Sequence, residues 1–175
     1  PDHVLLESGE RLEARAIVCA MDPSESKPSF DSVKYQSVGT HYFTGASLKD
    51  TRWGKWLVLI PKKFGFKINH LCLMSEVAPC YSSNGEPLLC ANTLGSGGSS
   101  MIDLCNELDR LAGRKLNLKH LKSIEVLKAL PKSNDTKEAF IKKDGVYYCG
   151  DRWSSPSING ALRSGRLTAE AILRS

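Results

Sequence analysis

The chain has no G-x-G-x-x-G loop. Its one glycine cluster, Gly95-Ser96-Gly97-Gly98, lacks a third glycine at the right spacing. The strand–loop–helix unit that cradles a dinucleotide pyrophosphate is therefore not encoded in these 175 residues. There is no C-x-x-C pair either. Cys19, Cys72, Cys80, Cys90, Cys105 and Cys149 are scattered, none at zinc-finger spacing with a histidine, and His70-x-Cys72 stands without partners, so a metal site is not expected. Most of these cysteines lie in apolar stretches, where a thiol behaves as a small hydrophobe, which points to reduced cysteines in a reducing intracellular compartment. No apolar run approaches the ~18 residues of a membrane-spanning helix, so no transmembrane segment is expected. The 24 basic residues give a net charge of only +5 and, Lys62-Lys63 and Lys142-Lys143 apart, are dispersed. Without a basic helix or stacking aromatics, this charge does not make a nucleic-acid surface. No Ser-His-Asp or paired-carboxylate pattern is visible, and His3, His41, His70 and His120 are spread through the chain, so none is assigned a catalytic role. Internal repeats and low-complexity tracts are absent. So is an initiating Met: Pro1-Asp2 opens directly onto strand residues, and a chain that begins this way would show no signal peptide.

What is present is an ordinary globular composition, 41% hydrophobic and 25% charged. Two strands, His3 to Glu7 and Leu12 to Ala20, are predicted around a hairpin turn at Ser8-Gly9-Glu10-Arg11. Asp22-Pro23 ends the second, and residues 24–34, polar and proline-bearing, read as a crossover or short helix. Strands follow at Tyr35 to Ala46, Trp56 to Ile60, Lys67 to Met74 and Leu88 to Leu94, forming one mostly antiparallel sheet. A helix begins after Ser100, with Asp103 three residues on. It places Met101, Leu104, Cys105, Leu108, Leu111 and Ala112 on one face and stops at Gly113. Leu116 to Leu121 suggests a short helical piece and Ile124 to Leu130 a strand stopped by Pro131.

The most informative stretch comes last. Val146-Tyr147-Tyr148-Cys149 has strand character and stops at Gly150-Asp151. Six residues later Ile158-Asn159-Gly160-Ala161-Leu162, then Ser164-Gly165, open a helix running from about Ser157 to Arg174. Its inner face is predicted to carry Ile158, Ala161, Leu162, Gly165, Ala169, Ile172 and Leu173. A strand end can supply a carboxylate for ligand hydroxyls. A helix start supplies free N–H groups and a positive dipole end, and small residues let backbone approach closely.

This segment resembles the C-terminal FAD-binding segment of the flavin-containing amine oxidase and phytoene desaturase superfamily, written roughly G-D, a short gap, then I-x-G-A-x-x-S-G-x-x-A-A. Val4 to Pro23 is similar to that superfamily's V-x-L-x-x-G-E hairpin with its I-V-x-A-x-D-P strand. Val77-Ala78-Pro79 with Tyr81 and Gly85 resembles its V-A-P-x-Y segment, and Ala129-Leu130-Pro131 its A-L-P. Ser157-Ile158-Asn159-Gly160-Ala161 looks closer to the phytoene-desaturase-like branch than to the monoamine oxidases.

The resemblance implies an α/β (α+β) chain: a mostly antiparallel substrate-domain sheet with helices, plus C-terminal pieces of a Rossmann-like FAD domain whose N-terminal unit is absent. It implies an FAD-domain hairpin and strand at 1–28, a substrate-binding domain at 29–130 and the C-terminal FAD-binding strand and helix at 131–175. FAD would contact Gly150, Asp151, Ser157, Ile158, Asn159, Gly160 and Ala161. Gly160 would make room for the flavin edge, and Trp153 would either wall the ring or pack on the turn. The expected partners are a small, apolar organic substrate, in a superfamily whose substrates range from amines to polyenes and porphyrinogens, and the missing N-terminal FAD domain of the same chain. The aromatics Tyr42, Phe43, Trp56, Phe64 and Phe66 read first as core and second as substrate pocket. The implied activity is oxidation or desaturation of a C–N or C–C bond by hydride transfer to flavin. A non-catalytic binding or scaffold module derived from the same fold is the alternative. The isolated segment should hold little FAD and should form homo-oligomers.

Overall fold

The computed structural model describes residues 2–21, 34–95, 100–132 and 138–175. The crossover at 24–34 and the Asp22-Pro23 strand end lie outside them apart from Lys34, as do residues 96–99 of the glycine-bearing loop. The chain divides into two compact units, Pro1–Tyr35 with Leu130–Ser175, and Gln36–Ala129.

The first unit opens with the hairpin β1 (His3–Leu5) and β2 (Arg11–Glu13), followed by β3 (Ile17–Cys19). The predicted second strand is thus two short ones, broken at Ala14-Arg15-Ala16. β3 pairs in parallel with β10 (Val146–Cys149), and β10 pairs antiparallel with β9 (Phe140–Lys143). The β9–β10 hairpin turns on Asp144-Gly145, with φ of 51° and 78°. Positive φ at both turn positions matches the right-handed twist of the strands, which is why Asp-Gly is favoured there. α3 (Ile158–Leu173) packs on β9 and β10.

The second unit holds a five-stranded sheet. Its strands are β4 (Tyr35–Thr44), β5 (Leu57–Leu59), β6 (Ile68–Leu73), β7 (Leu88–Leu94) and β8 (Lys119–Pro131). They lie in the order β5-β6-β7-β4-β8, and the β4/β7, β5/β6 and β6/β7 pairings are antiparallel. A one-turn helix, α1 (Met74–Val77), follows β6. α2 (Met101–Ala112) begins where the Ser100 hydroxyl accepts from Asp103 N–H at 3.1 Å and ends at Gly113, φ 69°. The core comprises Phe43, Leu48, Trp53, Ile60, Ile68, Leu71, Leu73, Leu89, Ala91, Leu104, Leu108 and Leu116, with Met101, Cys105, Leu111 and Ala112 packed against it. The helix face predicted from spacing is the one buried.

Three features differ from expectation. Leu116 to Leu121 is not helical: Asn117 sits at φ 49°, which no helix continues, and β8 begins at Lys119 as the outer neighbour of β4. Trp56 precedes β5 and is largely exposed, as is Phe64; of the aromatics read as core, Phe43 is fully buried and Phe66 packs on the core. A buried carboxylate is also present. Glu107, on α2, accepts the Lys67 N–H at 2.9 and 3.0 Å and the Ile68 N–H at 3.0 Å, so it caps the start of β6 and fastens helix to sheet.

A polar cluster lies on the helix-facing side of β4. His41 Nδ1 and His120 Nε2 both meet the Ser123 hydroxyl, at 2.8 and 2.9 Å, and His41 Nε2 is 3.3 Å from Thr93 Oγ1. Gly39 makes this possible, because a Cβ there would stand 2.6 Å from Thr93 Oγ1 and 2.9 Å from His41 Nε2.

Candidate functional site

The strand–turn–helix from β10 to α3 carries every residue predicted to hold a cofactor. β10 is buried through Tyr147, Tyr148 and Cys149, and burial pushes the Tyr148 phenol and Cys149 thiol above their ordinary ranges. Neither group is charged near neutral pH, so the site rests on an apolar floor. At Gly150 the chain takes φ 144° and ψ 177°, which side-chain-bearing residues avoid, and a Cβ there would meet nothing within 4 Å. Glycine here therefore serves the backbone turn and leaves open space over its Cα.

Asp151 begins a single 3₁₀ turn, Asp151–Trp153, packed on α3. It is half-buried and has no side-chain hydrogen bond or ion pair among the described residues. Trp153 is buried, with the Arg152 guanidinium 4.7 Å from its ring centroid, so the packing role fits this residue better than an exposed ring wall.

Ser157 is the N-cap of α3. Its hydroxyl accepts the Gly160 N–H at 3.0 Å and its carbonyl the Ala161 N–H at 3.0 Å. A helix leaves its first amides without helical partners. With Gly160 and Ala161 satisfied by the cap, the N–H groups of Ile158 and Asn159 have no partner among the described residues and could meet a ligand. Asn159 and Ala161 are exposed and Ile158 strongly so.

One prediction about α3 is corrected, and one of its glycines gains a local explanation. Its packed face is not the apolar one: Gly160, Ser164 and Thr168 are buried, while Ile158, Leu162 and Leu173 are 82%, 66% and 86% exposed. The i, i+4 row of small residues is what lets the helix lie close on its own strands. Gly160 likewise has a local cause. A Cβ at this position would run into the Ser155 carbonyl and hydroxyl, so the glycine accommodates the preceding turn, with no ligand needed to explain it.

Ser164 stands in the sequence motif without an assigned role, and the structure supplies one. Its Oγ accepts the Gly150 N–H at 2.8 Å and donates to the Ala139 carbonyl at 2.5 Å, and Thr168 Oγ1 donates back to the Ser164 carbonyl at 2.9 Å. This fully buried hydroxyl ties α3 to β10 and to the residue before β9. A polar residue at the i+4 spacing from a small one on a helix facing a strand end was the available signal.

The arrangement offers a carboxylate, two helix-start amides and open space over a glycine. These suit a ligand with hydroxyl donors and an electron-rich atom. Among the described residues no group of three or more His, Cys, Asp or Glu side chains could hold a metal ion, and no helix is long and apolar enough to cross a membrane.

The chain has a mixed α/β fold shared with solved structures. It is similar to a protein of Exiguobacterium sp. 255-15 provisionally named a protoporphyrinogen oxidase, with TM-score 0.60, 14% identity, and 97% of this chain and 43% of that one covered. It is also similar to a Pyrococcus furiosus protein known by locus name, with TM-score 0.63, 13% identity, and 98% and 44% covered. The chain thus spans less than half the length of either. No family model and no curated protein matches the sequence.

Proposed function

We propose that this chain is part of an FAD-dependent oxidoreductase, of the amine oxidase and phytoene desaturase kind, that oxidises a C–N or C–C bond of a small, apolar organic substrate. Bound flavin would supply the hydride-accepting ring. Asp151 would accept hydrogen bonds from cofactor hydroxyls, and the Ile158 and Asn159 amides, at the positive end of α3, would face an electron-rich ring atom. Gly150 would let the backbone approach the cofactor. Ser157 orients the helix start, and Gly160 and Ala161 keep its first turn slim.

The observation that carries this reading is a half-buried carboxylate and two helix-start amides, none with a partner among the described residues, on either side of one short turn. The likeness to an oxidase-named structure supports it at the level of fold. Because the chain spans less than half of its structural neighbours, most pyrophosphate contacts would come from sequence outside these residues. The test is the visible absorption spectrum of the protein carrying this segment together with the sequence flanking it in its gene. Flavin bands at near-stoichiometric content are expected. A colourless protein that takes up no added FAD would leave the scaffold alternative standing.

A further inference from the structure

The sheet of the second unit has a face that α2 does not cover. Side chains alternate along a strand, so Leu71, Leu73, Leu89 and Ala91 point into the core and their neighbours point away. On that outward side Cys72 of β6 stands directly opposite Cys90 of β7 in the antiparallel register. Both are free thiols. We propose that Cys72 and Cys90 form a cross-strand disulfide when the protein meets a low-molecular-weight disulfide oxidant, making the centre of this sheet a reversible thiol-modification site. This inference is independent of the flavin reading.

Register is the first argument. Directly opposed residues in an antiparallel pair have Cα atoms about 4.5 or 5.5 Å apart, depending on whether the pair is hydrogen-bonded. Both spacings fall inside the roughly 4.4–6.8 Å range that a disulfide spans, so closure needs side-chain rotation and little backbone movement. Their Cβ atoms leave the same face, which a pair offset by one residue would not achieve.

The surroundings supply the second argument. Cys72 is half-exposed and Cys90 is buried beside it, its sulfur accepting from Asn92 Nδ2 at 3.5 Å. Tyr42, opposite Cys90 on β4, also contacts that sulfur. The accessible thiol is therefore the one an oxidant meets, and the sheltered thiol resolves. The Cys72 thiolate attacks the oxidant's S–S bond, releasing one small thiol and leaving a mixed disulfide on Cys72. The Cys90 thiolate then attacks Cys72 Sγ and expels the second small thiol. Two protein S–H bonds are lost, one S–S bond forms, and the two electrons and two protons appear as two small thiols. Burial pushes both thiols above the ordinary cysteine range, so the reaction is slow near neutrality and quickens as the thiolate fraction rises.

The test uses the full chain with excess oxidised glutathione, followed by alkylation of remaining thiols, intact mass and peptide mapping. The expected product is lighter by two hydrogen atoms, joins the Cys72 and Cys90 peptides, reverts with dithiothreitol, and forms about tenfold faster per pH unit between pH 7 and pH 8. Cys90→Ser should stop at a glutathione adduct on Cys72, and Cys72→Ser should give no bridge. The bridged form should melt about 5–10 °C higher, since a new cross-link constrains the unfolded chain. A map in which exposed Cys80 is modified while Cys72 and Cys90 both end alkylated overturns the proposal. So does a Cys72–Cys90 bridge that appears only in denaturant, because the native register would then not be its cause.

Discussion

At the scale of single residues, two neighbours in the β10–α3 segment make opposite demands. Asp151 is half-buried and has no side-chain partner among the described residues, so its replacement should cost the fold little and a ligand much. In the flavin-loaded protein, Asp151→Ala should weaken FAD binding by removing a charge-assisted hydrogen bond worth about 1.5–3 kcal/mol, roughly ten- to a hundredfold in affinity. Isothermal titration with FAD reads this, and an unchanged dissociation constant would remove Asp151 from the site. Gly160 is the reverse case. Alanine would gain up to about 1 kcal/mol of helix propensity, yet its methyl collides with the Ser155 carbonyl, so Gly160→Ala should destabilise the chain by about 1–3 kcal/mol with or without cofactor. Urea unfolding without FAD decides this; equal midpoints would mean that the 155–157 turn yields freely.

His41 adds a pH dependence. Burial first, and the neighbouring His120 second, hold its imidazole below the usual histidine range, with Glu125 opposing. A base whose folded pKa is depressed stabilises the fold in its neutral form. That contribution is whole above the unfolded pKa of about 6.5 and is lost as the pH falls from there through the lower folded value. Unfolding free energy should therefore drop between pH 7 and pH 5 more steeply in the wild type than in His41→Gln. Parallel profiles would assign the slope to other groups.

Elements show where the sequence speaks and where it is silent. α2 was legible throughout, because its cap, its apolar spacing and its terminal glycine all agree with the burial it achieves. The start of α3 was equally legible. Its packed face was not, since periodicity finds large apolar residues and this helix docks through Gly160, Ser164 and Thr168. Residues 116–121 read as helical because leucine spacing there is ambiguous, and pairing with β4 overrides that preference. β9 leaves a legible trace in Asp144-Gly145, a turn signal that the strand assignments from sequence do not use. Glu107 leaves none: nothing local to α2 announces that its carboxylate will receive two amides from a strand about forty positions earlier. Glu107→Ala should lower stability by about 2–3 kcal/mol, since those amides lose their partner in a mostly buried place. A reduced denaturation midpoint at constant m-value is the expected signature.

For the molecule as a whole, apolar side chains remain at the surface in both units: Leu5, Leu12 and Val18 with Ile158, Leu162 and Leu173 in one, and Trp56, Leu57 and Leu59 in the other. Such surface favours association, and the isolated chain should form dimers or larger species. Light scattering that reports a monomer at high concentration would contradict this.

The parallel pairing of β3 with β10 has a kinetic meaning. Ile17 meets Val146, and the entire second unit lies between them in the chain. Closing so long a loop is entropically uphill while the intervening segment is a random coil. Folding of that segment on its own core lowers this cost. The β3–β10 pairing should therefore form late, after the second unit, and the Gly150–Asp151 turn that follows β10 should become ordered with it.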